Sequence, residues 1–100
     1  MGNYARASRV AGLFQREMAD ILLRKIADPR LQGVTITRVV LSADLKQATI
    51  FFDIWGLEQR DAGRVLAGFE SAQNLIRKEL AQRVRLKTMP KLKFVFNQGS

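Results

Sequence analysis

One hundred residues, 47% of them hydrophobic, are enough for one core and too few for two. Seventeen Lys and Arg against nine Asp and Glu give a net charge of +8 and an isoelectric point near 10.9. That balance draws polyanions, nucleic acid first and an anionic membrane surface second. The absence of Cys and His excludes disulfide staples and thiolate metal sites, and it removes the usual general base and metal ligand. Apolar runs are only a few residues long, so no spanning segment or signal peptide is expected, and a soluble intracellular protein is the default.

In chain order, Met1 to Arg6 read as a polar, loose start. From Ser8, a good N-cap residue, the residues Val10, Leu13, Phe14, Met18, Ile21 and Leu22 recur at helical spacing to about Ala27. Glu17 sits at the edge of that arc, an edge carboxylate reaching solvent or a nearby Arg. Asp28-Pro29 ends the helix, and Arg30 to Gly33 form a loop. Val34 to Leu41 is β-branched and pairs across Ser42-Ala43-Asp44-Leu45-Lys46 with a second run from Gln47 to Trp55. In that run Ala48, Ile50, Phe52 and Ile54 form one apolar face. Phe51 and Trp55 on the other face either stack on unpaired bases or pack under a helix end, and packing is the preferred reading.

Asp61 is an acceptable N-cap for a second helix carrying Val65, Leu66, Phe69, Ala72, Ile76, Leu80 and Val84 within about a third of a wheel drawn at ~100° per residue. On a single straight wheel Leu75 would face solvent and Arg83 would enter the stripe. A kink at Ala72-Gln73-Asn74 lessens both conflicts, since Asn tolerates left-handed angles and bonds the backbone locally. Gly68 is expected to permit a close approach of this helix to the sheet. Lys91 to Phe96 then alternates, with Leu92, Phe94 and Phe96 toward the core. The order α-β-β-α-(kink)-α-β implies an α+β single domain over residues 1–100, a three-stranded sheet with helices packed on one face. The hairpin is antiparallel, and the place of the last strand is open.

Catalysis finds no support. The carboxylates are scattered, and Gly63 and Gly68 lie within a helix without a phosphate-cradling pattern. Charge placement is the stronger signal, because Arg77, Lys78, Arg83, Arg85, Lys87 and Lys91 fall, with Lys93 beyond them, in one short span broken only by Glu79. We read these with Asn74 at the bend as an RNA-binding surface, with no cofactor, metal or small-molecule substrate.

Several short motifs also occur in a set order. They are Arg9-Val10-Ala11, Gln15-Arg16-Glu17, Asp28-Pro29-Arg30, Val34-Thr35-Ile36-Thr37, Ser42-Ala43-Asp44-Leu45, Ala48-Thr49-Ile50, Ile76-Arg77 and the run Leu86-Lys87-Thr88-Met89-Pro90-Lys91-Leu92-Lys93-Phe94. In this series the chain resembles the bacterial ribosome-binding factor A family end to end. The resemblance implies a KH-like type II fold whose Ala-x-Gly kink is represented here by Ala72-Gln73-Asn74, with Asn in the glycine position. It also implies a cytoplasmic monomer that binds the 16S rRNA of immature small (30S) ribosomal subunits, supports late maturation and growth in the cold, and touches no membrane. Family members usually run on into a charged tail, so a chain shortened after Ser100 is expected. The alternatives are a generic KH-like module for single-stranded nucleic acid, and a protein-interaction adaptor using exposed aromatics.

Overall fold

In the computed structural model residues 2–54 and 61–97 are described, with side chains from Tyr4 onward. The elements are α1 (Gly2–Arg24), a 3-10 turn (Pro29–Leu31), β1 (Val34–Leu41), β2 (Gln47–Ile54), α2 (Ala62–Arg83) and β3 (Lys91–Phe96). Trp55, and the loop expected from Leu57 to Arg60, lie outside the described residues. This is an α+β fold with a mixed sheet in the order β1-β2-β3, antiparallel between β1 and β2 and parallel between β2 and β3. β2 lies at the centre, paired on both sides, and on its covered face Ala48, Ile50 and Phe52 are wholly buried and Ile54 nearly so.

α1 begins earlier than Ser8, and the stretch through Arg6 is helical rather than loose. Ala7 and Ala11 are buried on the row that continues through Phe14, Met18 and Ile21. The first helical turns are therefore held by packing, and Ser8 is an exposed interior position. The helix stops at Arg24, short of Ala27. Asp28 caps the 3-10 turn instead, its Oδ1 accepting the Arg30 N–H at 2.9 Å with Pro29 at the first helical position. Arg30 Nη2 closes the clasp on Asp28 Oδ2 at 2.6 Å. That contact with the Arg30 guanidinium, helped by the backbone N–H, holds the Asp28 carboxyl below its usual range.

α2 is one continuous helix, which corrects the expected break at Ala72, Gln73 and Asn74. Among the described non-glycine residues only Leu45 has a positive φ, so Asn74 does not enter the left-handed region. Val65, Phe69, Ile76, Leu80 and Val84 are buried as the stripe requires, whereas Leu66 and Leu75 are about two-fifths exposed. The balance of energies explains the unbroken helix. Partial exposure of a leucine forfeits a fraction of the roughly 1.5–3 kcal/mol of full burial, whereas breaking the ladder strands buried backbone groups at about 1–3 kcal/mol each.

Gly68 permits a close approach, but to the 3-10 turn rather than to the sheet. A Cβ there would stand 3.0 Å from Leu31 Cδ2 and 3.3 Å from Arg30 Cβ. At the sheet end of α2, Phe69 stacks on Phe94 with centroids 4.1 Å apart and planes at 7°, and Phe52 tilts against Phe69 and Phe96. Such pairs add about 0.5–1.5 kcal/mol beyond the area they bury.

Phe51 does not pack under a helix end. It alternates with the buried Ile50 and Phe52, so it lies half-buried on the uncovered sheet face, where the Arg38 guanidinium stands 4.5 Å from its ring centroid. A bulge at Thr37 precedes that contact, shifting the register between Ile36 and Arg38. The Gln15 side-chain amide ties the bulge to α1, its Nε2 donating to the Thr37 carbonyl at 3.2 Å.

Two helix glycines separate crowding from propensity. Gly12 has open space at its Cβ position, so Gly12→Ala should raise stability by about 0.5–1 kcal/mol. Gly68→Ala should lower it by about 1 kcal/mol, because buried Leu31 must move; urea midpoints of the two variants check the opposite signs. For Asn74, exposed within an unbroken helix, Asn74→Ala should stabilise by about 0.5 kcal/mol in the same assay. A loss of stability there would favour a bend that needs asparagine.

Candidate nucleic-acid interface

The cations of the basic span are sorted into three places by the fold. Arg77, Lys87 and Lys91 line one cleft of about 660 Å³, and Arg6 from α1 and Lys46 from the hairpin turn join them. Asn74 and Lys78, four residues apart, share an exposed row of α2 outside that lining, and Arg85 is exposed just past the helix. Ala72 and Gln73 are half-buried and line no part of the cleft. The third place is that of Arg83, which turns away from this surface toward α1.

Arg83 stands at the foot of the apolar stripe of α2 and meets three carboxylates. Its Nη1 donates to Asp20 Oδ2 at 2.6 Å and to Glu17 Oε1 at 3.1 Å, and its Nη2 reaches Glu79 Oε1 at 3.5 Å. Asp20 also accepts from Arg24 Nε at 2.6 Å. Hydrogen bonds from Arg83 and then Arg24 hold the Asp20 carboxyl below its ordinary value, and the contact with Asp20 pushes the Arg83 guanidinium higher still. The Arg83 Nη groups are thus engaged by three acids, and Arg83 stands apart from the cations that line the cleft. Glu17 is the edge carboxylate expected, and Arg83 is the arginine it reaches.

The cleft is built by short connections. Arg77 Nη1 donates to the Pro90 carbonyl at 2.8 Å, fixing the guanidinium beside the start of β3. The Lys91 N–H donates to the Lys46 carbonyl at 3.0 Å, because the parallel register places Gln47 opposite Lys91. In the turn, the Ser42 hydroxyl accepts the N–H groups of Lys46 and Gln47 and donates to Asp44 Oδ1 at 2.7 Å. That hydroxyl and the Lys46 N–H keep the Asp44 carboxyl below its usual range. Leu45, at φ 61°, adopts a conformation costing an ordinary residue about 1–2 kcal/mol, and its side chain packs against the core while lining the cleft.

The lining therefore holds five cations and one carboxylate, above the half-buried apolar groups Leu45, Leu86 and Met89. Such a surface can bind phosphates and cover an apolar moiety. Arg6 and Lys46 were not singled out by sequence reasoning. The signal for Arg6 was present in the 7-11-14-18-21 row, which runs the helix back past it. No signal for Lys46 existed without the pairing of β3.

Residues 6–100 match the family model described as Ribosome-binding factor A. The chain is 47% identical over 99 residues to ribosome-binding factor A of Leuconostoc citreum, spanning 99% of this chain and 85% of that protein. The crystal structure of the Thermus thermophilus factor superposes with a TM-score of 0.81 at 24% identity, covering 94% of this chain and 98% of that one. Coordinates of the Thermus thermophilus factor fitted into a cryo-EM map of a 30S complex superpose with a TM-score of 0.72 at 24% identity, covering 89% and 93%.

The Arg83 cluster predicts a pH dependence of stability. Asp20 has a depressed folded-state pKa, so its contribution is complete above the ordinary value of 3.8 and is lost as pH falls through the lower folded value. Arg83→Met should therefore lower the urea midpoint at pH 7, and its deficit against the parent should shrink below about pH 4. A deficit that stays constant down to about pH 2 would remove the ion cluster as its cause.

Proposed function

The chain belongs to the ribosome-binding factor A family, and from that premise we propose that it binds the small (30S) ribosomal subunit through its 16S rRNA. The observation that carries this reading is the gathering of Arg6, Lys46, Arg77, Lys87 and Lys91 around one cleft in a chain with this ancestry. Five cations around one cleft of a molecule of net charge +8 form a surface for a polyanion. The exposed Lys78, Arg85 and Asn74 extend the contact along α2 and the segment after it.

On this reading the protein, one KH-like unit, acts by binding and carries out no reaction. It works in the cytoplasm as a monomer without a cofactor, holds rRNA of an immature subunit during late maturation and processing, and then leaves. Its help is worth most in the cold, where misfolded rRNA helices are more persistent. Among the described residues no helix is long and apolar enough to cross a membrane.

The test is co-sedimentation. The protein should travel with free small subunits and little with complete ribosomes, and an even distribution across both would count against the proposal. Lys46→Gln and Lys87→Gln should each weaken subunit binding and reduce the log-log salt slope by about 1. Binding to isolated oligonucleotides as tight as binding to the subunit, at physiological salt, would favour the generic single-strand module instead.

A further inference from the structure

The cleft has an apolar floor that phosphate binding alone does not require. Leu45, Leu86 and Met89 are half-buried, and all three line it beneath a rim of lysine and arginine. A volume of about 660 Å³ lies within the roughly 300–1,000 Å³ typical of sites for small organic groups. Taking the proposed rRNA binding as given, we propose that this cleft seats one unpaired nucleotide of an RNA strand, with its base on Leu45, Leu86 and Met89 and its phosphates against Lys46, Arg77 and Lys87.

Three observations lead to this occupant. First, the rim cations come from five parts of the chain, α1 (Arg6), the hairpin turn (Lys46), α2 (Arg77), the segment before β3 (Lys87) and β3 itself (Lys91), rather than from one row along a single element. A nucleotide in a strand needs that arrangement, since its flat apolar base is flanked by charged phosphates. Second, the single lining carboxylate, Asp44, is turned to its own loop, where its Oδ1 is bonded by Ser42 Oγ and the Lys46 N–H. The rim is left predominantly positive, five cations against this one carboxylate. Third, Leu45 occupies a left-handed position where glycine or asparagine would be unstrained. The Ser42 hydroxyl, bonded to the N–H groups on the far side of Leu45, holds it there.

The floor chemistry suits a base. The Met89 thioether is polarisable and packs well on aromatic edges. Arg77, steadied by one bond to the Pro90 carbonyl, keeps its remaining donors for phosphate or a base edge. An unpaired nucleotide in a folded RNA is the species whose base is available to leave the stack and enter such a cleft.

The experiment records ¹³C-methyl NMR spectra of the full chain during titration with an octamer of adenylate, with an abasic octamer of the same backbone, and with adenosine 5′-monophosphate. The adenylate strand should move the methyl signals of Met89, Leu45 and Leu86 upfield through the ring current of the base, and it should bind about tenfold more tightly than the abasic strand. Lys46→Glu and Lys87→Glu should weaken both strands. Equal affinity for the two strands with unmoved methyls would leave only a phosphate patch and overturn the seat. Adenosine 5′-monophosphate binding as tightly as the strand would make it a free-nucleotide site, and methyls moved by oligoglutamate but not by adenylate would make it a peptide site; either outcome overturns the proposal. Co-sedimentation of the same preparation with small subunits separates the two readings. If it is retained while the methyls stay silent, only the seat falls. If it is lost while the methyls shift, the ribosomal reading falls.

Discussion

The ionic contact between α2 and α1 decides how the two helices meet. α2 offers a single apolar stripe, and at its last turn that stripe carries Arg83 where a hydrophobic side chain would be expected. A guanidinium cannot be placed against an apolar surface without partners. Glu17 and Asp20, one turn apart on α1, supply them, with Glu79 from α2 itself. Those three acids satisfy the charge where it stands. The aromatic stack of Phe69 on Phe94 holds the sheet end of the same helix, so α2 is fixed near both ends by different forces.

The position of α2 has consequences for the basic surface. Arg77 lies between the two anchors and meets the carbonyl of Pro90, bringing the helix to the start of β3. The parallel pairing of β3 with β2 then sets Lys91 beside Lys46. Connections close in sequence or in register thus gather residues spread from Arg6 to Lys91. The cleft follows from the packing of the described elements.

The acids explain why so basic a chain still folds tightly. Glu17, Asp20 and Glu79 are gathered on Arg83, Asp28 on Arg30, and Asp44 within the hairpin turn. Each of these carboxylates is used where the backbone or a helix contact needs it. The positive charge is left on the surface, which is where a polyanion can use it. The Thermus thermophilus structure shares this fold at 24% identity, a level at which the buried pattern matters more than particular side chains.

Much of the fold could be read from residue order alone. The β-branched run from Val34 to Leu41 and the alternation that begins at Gln47 and again at Lys91 located all three strands, since branched side chains suit a pleated surface and successive strand side chains point to opposite faces. The apolar rows of the two helices, the overall charge and the family motifs were legible for the same local reason. Questions of who meets whom were decided only in three dimensions. Arg83 looked misplaced on the wheel of its own helix, and only the approach of α1 supplied the acids that make it belong there. Asn74 looked like a break by propensity, but a propensity of roughly 1 kcal/mol or less does not interrupt the hydrogen-bonded helix from Ala62 to Arg83. Arg6 and Lys46 lie far from the basic span in sequence and reach it only through the early start of α1 and the parallel pairing of β3. Periodicity along one chain segment reports which face is buried; the partner covering that face is set by tertiary packing.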